Sequence, residues 1–133
     1  MACNIPLVQG LAALGRWAES ITLVNEAIRQ VEANGGLSYL PELLRVKGSV
    51  LLSMPQPAGD DAERCFVQSL DCSRRIGARA WELRTAIDLA DLRAAQERPE
   101  AARAILQPVF EQFLEGSDTA DLRCAERLLA TLG

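Results

Sequence analysis

The sequence predicts an all-α fold made of stacked antiparallel helix pairs, and three observations lead to this prediction. Strong helix formers such as Ala, Leu, Arg, Glu and Gln are abundant, whereas strand-like alternation of β-branched and aromatic residues is absent. Apolar residues recur at spacings of three and four, as they do on one face of a helix. The sequence also repeats with a period of about 41 residues, which is typical of short helical units that stack.

Equivalent positions recur along the chain and divide it into units. Gly35, Gly77 and Gly116 each follow an amphipathic run and precede a new one, as glycines that end helices do. Small residues also recur in phase, and the aligned sets are Ser20, Ala62 and Ala102, then Ala27, Ser69 and Val109, then Val8, Gly48 and Ala90. We expect a single domain over residues 1–133, with units at 1–36, 37–78 and 79–117 and a closing helix at 118–133.

Each unit is expected to contain a helix, a tight turn and a second helix. The predicted helices lie near 4–14, 18–34, 39–54, 60–76, 79–96, 99–115 and 120–132. Asp60 with Glu63 predicts an N-cap and a capping box for the fourth helix, and Asp118 with Asp121 repeats this pattern. Pro108 is expected to kink the sixth helix or to remove one of its backbone hydrogen bonds.

Three further residues carry expectations about packing. Gly48 aligns with positions at which the two helices of a pair touch closely, so we expect leucine there to overpack the contact. Alanine is expected to be tolerated, because glycine is a poor helix former. Trp17 and Trp81 each begin a helix near a junction, which indicates packing between units rather than stacking on a ligand.

The residue types argue against an enzyme. The sequence has no histidine, so the commonest general base and metal ligand is missing. Its four cysteines form no C-x-x-C pair, and Cys65 and Cys72 lie roughly 10 Å apart along one predicted helix, too far for a disulfide. Asp88 and Asp91 share a helix face but supply too few oxygens for a strong cation site. We therefore expect no catalytic residue, no cofactor and no metal.

Charge and hydropathy suggest where the chain works. The net charge of -4 argues against a nucleic-acid partner, which would call for a basic face. No apolar run is long enough to span a bilayer, and nothing near Met1 resembles a signal peptide. The expectation is a cytoplasmic protein with no membrane partner.

Several strings of residues resemble the tetratricopeptide repeat. The best match runs from Gly15-Arg16-Trp17-Ala18-Glu19-Ser20 to Glu26-Ala27-Ile28, followed by Leu89-Ala90 through Glu100-Ala101-Ala102. The strings at 39–48 and 80–84 are similar to the C-terminal repeats of large bacterial signalling proteins, which join such repeats to an ATPase module with a nucleotide cyclase or a winged-helix regulator. The resemblance implies a right-handed superhelix of about three helix pairs. Lys47, at an interior-leaning position that is usually apolar, and Glu97, where a turn glycine is common, depart from the pattern.

The resemblance also implies a binding surface, because the first helix of each pair lines the concave groove in this repeat class. The groove-facing positions are Glu42, Arg45 and Ser49 in the second unit and Arg84, Ile87 and Asp91 in the third. The expected partner is a protein, a peptide or another domain of the same polypeptide, and the alternatives are a small-molecule-sensing domain or a plain solvated surface. Arg84 is expected to pair with Asp88, four residues further on.

An apolar face on the N-terminal helices is expected to favour a homodimer. Light scattering that shows a strict monomer at high concentration would argue against this expectation.

Overall fold

Seven α-helices make up almost all of the part of the chain that the structure describes. The computed structural model describes residues 5–35, 39–55, 59–112 and 120–132, and for residues 5–8 the backbone alone. The helices are α1 (Ile5–Ala13), α2 (Trp17–Ala33), α3 (Leu40–Ser53), α4 (Gly59–Ile76), α5 (Arg79–Ala95), α6 (Pro99–Glu111) and α7 (Ala120–Leu132). The all-α prediction and the order of the predicted helices are confirmed.

The helices form two layers. Each helix packs against the next one in sequence, and α1, α3, α5 and α7 also contact one another in turn. No comparable contact joins α2 to α4 or α4 to α6 among the described residues. The odd-numbered helices therefore lie side by side in one layer, and α2, α4 and α6 form a second layer that is more widely spaced.

The interface between α2 and α3 carries the first part of the core, across the predicted boundary between units. Val24 and Val31 of α2 meet Leu43, Val46 and Val50 of α3, and all five are at most 6% exposed. Their spacings of three, four and seven place them on one stripe of each helix. Burial of these aliphatic side chains contributes on the order of 1.5–3 kcal/mol for each.

A larger cluster joins α4 to the last three helices. Its centre consists of Phe66 from α4, Leu83 and Leu89 from α5, and Leu106 from α6, with Leu122 of α7 at its edge. Phe66 also reaches α3, where Gly48 leaves room for its ring. A Cβ atom built on Gly48 would lie 2.6 Å from Cε1 of Phe66. The prediction that Gly48 marks a close helix contact is confirmed.

Buried hydroxyl groups tie three helices together. The Ser69 hydroxyl on α4 donates a hydrogen bond of 2.7 Å to the carbonyl of Pro41 in the first turn of α3. The Thr85 hydroxyl on α5 lies 2.8 Å from Ser69 Oγ, and since the single Ser69 proton points to Pro41, Thr85 is the donor of this bond. All three residues are buried, so these hydrogen bonds offset the free-energy cost of removing the polar groups from water.

Tight turns end the helices where the sequence places glycines. Gly15, Gly35 and Gly77 have positive φ angles of 80°, 71° and 71°, and Glu97 adopts 60° in the corresponding turn after α5. After Gly15, Gly77 and Glu97, the next amide donates to the carbonyl five residues earlier, for example Arg98 to Arg93 at 2.9 Å. Glu97 thus has the backbone conformation of a turn glycine. Gly116 lies outside the described residues.

The prediction for the start of α4 is wrong in its detail. The helix begins at Gly59, so Asp60 lies inside its first turn rather than at the N-cap, where it still complements the helix dipole. Glu63 makes no capping box with Asp60 among the described residues, and it forms ion pairs with Arg93 and Arg98, at 3.3 and 3.4 Å. Long-range arginines compete with the local backbone for this carboxylate. Asp118, in the second predicted box, lies outside the described residues.

The sixth helix runs through its proline. α6 continues past Pro108 and ends at Glu111, short of the predicted 115. Pro108 has no N–H and cannot donate to the carbonyl of Ala104, so the expected loss of one backbone hydrogen bond follows from the residue itself. Residues 113–119 lie outside the described part of the chain, so the predicted helical residues 113–115 lie outside it as well.

The two tryptophans pack at contacts between helices from neighbouring units, as predicted. Trp17 at the start of α2 packs against the α2–α3 cluster, and its Nε1 donates to Ser53 Oγ at the end of α3, at 3.2 Å. Trp81 at the start of α5 lies against Tyr39, with ring centroids 5.8 Å apart. Both contacts join helices that are far apart in sequence.

The described cysteines are free thiols. Cys65 and Cys72 are buried, and Cys124 is exposed. Burial raises the pKa of the thiols of Cys65 and Cys72, which keeps them protonated and unreactive at neutral pH.

Alanine at position 48 is expected to destabilise the protein, which corrects the prediction from sequence that it would be tolerated. The added methyl group collides with the buried Phe66 ring, which is 1% exposed and has little room to shift. We expect Gly48→Ala to lower the free energy of unfolding by about 1–3 kcal/mol in urea titrations. Gly10→Ala is the matched control, since an added Cβ there meets nothing within 4 Å inside α1 and should stabilise by about 0.5–1 kcal/mol. If Gly48→Ala raised the free energy of unfolding as much as Gly10→Ala, the contact between α3 and α4 would be loose.

Candidate docking surface

The predicted groove positions fall on one side of the odd-numbered helices. Glu42, Arg45 and Ser49 are spaced by three and four residues on α3, and Arg84, Ile87 and Asp91 occupy the corresponding positions on α5 one repeat later. We call the surface formed by these residues other than the buried Ile87, together with Asp88 of α5 and Asp121 of α7, the first-helix face. Ser49, Arg84 and Asp91 are exposed, and Glu42, Arg45, Asp88 and Asp121 are partly buried.

A chain of ion pairs crosses this face and joins three helices. Arg45 contacts Glu42 on its own helix, and its Nη1 lies 2.9 Å from Asp88 Oδ2 on α5. Arg84 of α5 reaches back to Glu42 at 3.5 Å and forward to Asp121 of α7 at 3.1 Å. The chain therefore runs Asp88–Arg45–Glu42–Arg84–Asp121. Three of the six predicted residues belong to it.

Asp88 and Asp121 were not among the predicted site residues, and Arg84 does not form the expected pair with Asp88. Within the described residues Arg84 pairs with Glu42 and Asp121, while Asp88 pairs with Arg45. Spacing along one helix reveals only local partners. The sequence shows a charge at each of these positions, but the partner on a neighbouring helix becomes visible only once the helices are packed.

The face carries more negative charge than its arginines neutralise. It holds four carboxylates, on Glu42, Asp88, Asp91 and Asp121, and two guanidinium groups. Burial raises the pKa of Asp88, an effect that Arg45 opposes and that the charges of Glu42 and Asp121 reinforce. Partial desolvation of the carboxyl group and the charge of Asp88 also raise the pKa of Asp91, although the residue as a whole is exposed. Both aspartates would therefore gain from an additional cation.

A hollow of about 320 Å³ opens in the face between α3 and α5. Polar groups line one part and apolar side chains the other, and the lining residues are Ser49, Leu52, Phe66, Asp88, Asp91, Leu92 and Ala95. The structure thus brings Ser49 and Asp91 together at one site. Ile87 is only 6% exposed and belongs to the larger core cluster, so its side chain contributes packing rather than open surface.

Other kinds of site find little support in the described part of the chain. It contains no group of three or more acidic or cysteine side chains arranged to hold a metal ion. It contains no buried side-chain nitrogen or oxygen without a hydrogen-bond partner. Within the same residues, every helix is too short or too polar to cross a membrane.

The N-terminal end of the stack has exposed apolar surface. Leu14 is 75% exposed, and an open hollow of about 540 Å³ between α1 and α2 is lined by Leu11, Ala18 and Leu23 together with polar and charged residues. The homodimer expected from the sequence would use this end, and it stays a prediction.

Comparison with known proteins adds no assignment. No protein-family model matches the chain, and no curated protein matches it. The resemblance to tetratricopeptide repeats therefore rests on the residues quoted for it.

The balance between burial and pairing at Asp88 can be measured through pH. Since the folded-state pKa is raised above the ordinary value of 3.8, this carboxyl stabilises the fold below about that pH, and the contribution is lost as the pH rises through the raised pKa. We expect Asp88→Asn to gain stability relative to the natural protein between pH 3 and pH 7 in urea unfolding. Asp71→Asn, on the exposed side of α4, controls for removing a solvated carboxylate. A relative loss of stability over this range would mean that the pair with Arg45 outweighs burial.

Proposed function

We propose that this chain is a non-catalytic interaction module whose first-helix face binds a protein, a peptide or another domain of the same polypeptide. The observation that carries the proposal is the arrangement of the odd-numbered helices in one closely spaced layer that presents a charged, partly open surface. A scaffold of this kind holds a partner by the shape and charge of a broad surface and needs no reactive group.

The fold proposed is a tetratricopeptide-like stack of about three antiparallel pairs, formed by α1 to α6, with α7 as the closing helix. Contacts between successive odd-numbered helices, without comparable contacts between the even-numbered ones, support it. A stack whose layers differ in spacing curves toward the more closely spaced layer, and such curvature creates a concave surface in solenoid proteins. The first-helix face would then be concave, in the right-handed superhelix that the resemblance implies.

Charge complementarity favours a basic partner. The first-helix face has an excess of carboxylates, and two of them have raised pKa values that a nearby cation would lower. A lysine or arginine side chain could lay its apolar stem along Leu52 and Leu92 in the hollow and direct its charge toward Asp88 and Asp91. Complementary charge of this kind accelerates association and selects among partners.

The absence of histidine from the sequence supports a non-catalytic role, and the strings at 39–48 and 80–84 support a place among the C-terminal repeats of a larger bacterial signalling or regulatory protein. A small-molecule-sensing role at the same face is the second candidate. The hollow of about 320 Å³ is the observation in its favour, and it lies near the lower limit for such sites.

Selection from a library of displayed peptides tests the proposal. We expect the natural chain to enrich peptides rich in lysine and arginine, and these peptides to lose affinity by about ten-fold for Asp91→Lys, because a repulsive charge replaces an attractive one. Asp71→Lys makes the same charge change on α4, away from the face, and should retain binding.

Two outcomes would contradict the proposal. One is that no peptide is enriched over an unrelated helical protein. The other is that the enriched peptides bind Asp91→Lys as tightly as the natural chain, which would place their site elsewhere.

A further inference from the structure

A cleft lies on the other side of α3, between α2 and α4. It consists of two adjoining hollows of about 340 and 410 Å³, and Gln68 of α4 lines both. We call it the outer cleft. Its floor is a strip of α3 side chains at helical spacing, which are Leu40, Leu44, Lys47 and Leu51. Its combined volume is within the range of roughly 300–1,000 Å³ that is usual for small-molecule sites.

The next interval of the stack shows that such a cleft is not an inevitable result of the fold. One repeat later, the strip on α5 consists of Glu82, Ala86, Leu89 and Arg93, and it lies between α4 and α6. Ala86 and Leu89 are completely buried there. Leu40, Lys47 and Leu51 on α3 are only partly buried, so the corresponding space between α2 and α4 is open.

Ion pairs close the second interval. Glu82 bonds to Arg74 of α4 at 3.0 Å. Arg93 pairs with Glu63 of α4 and also donates to the carbonyl of Ala101 on α6, at 3.5 Å, so that it bridges the two outer helices. Leu51 stands at the position of Arg93 in the first interval and cannot make such a bridge.

Lys47 is the polar residue in the floor of the outer cleft, and it stands where the next unit has the fully buried Leu89. It forms no ion pair with any described residue. Asp61 lines the same hollow but lies 3.7 Å from Arg64, its neighbour on α4. The side chain of Lys47 is partly buried along an apolar strip, and its ammonium group can donate hydrogen bonds to an anion bound in the hollow that it lines.

We propose that the outer cleft binds a small amphipathic carboxylate, a molecule with one carboxylate on a flexible apolar chain. The carboxylate accepts hydrogen bonds from Lys47, while Arg64 on the cleft wall neutralises Asp61. The chain lies along Leu40 and Leu44 and covers Ile76, which is 40% exposed at the edge of the adjoining hollow.

The hollow that would hold the apolar chain also carries charge, since Glu32 and Arg75 line it with opposite signs. Glu32 would repel a carboxylate bound in the reverse direction and Arg75 would attract it, so these two charges do not set the orientation of the ligand. Lys47 lies in the other hollow, seven residues along α3 from Leu40. This site is on the far side of α3 from the first-helix face, so the proposal does not depend on the function proposed for that face.

Titrations followed by two-dimensional NMR test the site with three probes. We expect octanoate to shift resonances of residues in α2, α3 and α4 that line the outer cleft. Octanol, which lacks the charge, should bind at least about ten-fold more weakly than octanoate. Acetate, which lacks the chain, should cause no saturable shift. Shifts from octanoate confined to the N-terminal hollow near Leu14, or no saturable shift at all, would overturn the proposal.

Variants of Lys47 provide the second arm of the test. Lys47→Met keeps the apolar stem and should weaken octanoate binding by about ten-fold or more while leaving octanol binding unchanged. Lys47→Arg should retain most of the octanoate affinity. Arg127→Met, on the exposed side of α7, is the matched control for loss of one positive charge. If Lys47→Met and Arg127→Met weakened octanoate binding equally, net charge alone would explain the loss of affinity, and the proposal would be overturned. Circular dichroism verifies that each variant is folded.

Discussion

The fold depends on apolar stripes that each helix can bury only against its neighbours. The stripe of α2 with Val24 and Val31 packs against Leu43, Val46 and Val50 of α3, which belongs to the next pair. One continuous cluster likewise passes from α4 through α5 and α6 to α7. A chain of this kind is stable only as a stack, because removal of one unit exposes the stripe of another.

The ion pairs of the first-helix face follow from this packing rather than cause it. Core contacts hold α3, α5 and α7 close enough for Arg45 to reach Asp88 and for Arg84 to reach both Glu42 and Asp121. Pairs at a partly exposed surface contribute on the order of 0–1 kcal/mol each, much less than burial of a leucine or phenylalanine. In the proposed function, their larger role is to fix the positions of the charges that a partner would meet. The surplus of carboxylates then favours a basic partner.

The outer cleft illustrates how a repeated fold acquires different surfaces. Two successive intervals have the same arrangement of helices. One is closed by Leu89 and by Arg93, which pairs with Glu63 of α4 and donates to the Ala101 carbonyl of α6, and the other is left open over Lys47. The two strips differ at all four positions, where Leu40, Leu44, Lys47 and Leu51 correspond to Glu82, Ala86, Leu89 and Arg93.

Much of the fold can be predicted from the sequence, since it follows from local rules. The apolar stripe of α2 and the turns at Gly15, Gly35 and Gly77 depend on residues that are close in sequence. Even Glu97, which breaks the glycine rule, could be assigned to a turn because the repeat places it there.

The parts that the sequence does not reveal depend on contacts between helices. Alanine at position 48 would be acceptable in an isolated helix, and only the Phe66 ring on the next helix rules it out. Glu63 satisfies the local pattern of a capping box, but arginines on or just after the next helix hold it instead. For the same reason, the pairing of Arg84 with Glu42 and Asp121 could not be predicted from its spacing to Asp88.

The mutual dependence of the units is tested most directly by urea unfolding with one tryptophan at a time. The sequence contains only two, Trp17 in the first unit and Trp81 in the third, so Trp81→Phe and Trp17→Phe each leave a single reporter. In each variant, we predict that the fluorescence transition coincides with the loss of helical circular dichroism, because no unit can unfold without exposing the stripe of its neighbour. A Trp17 transition that is complete while most of the helical signal persists would contradict the account.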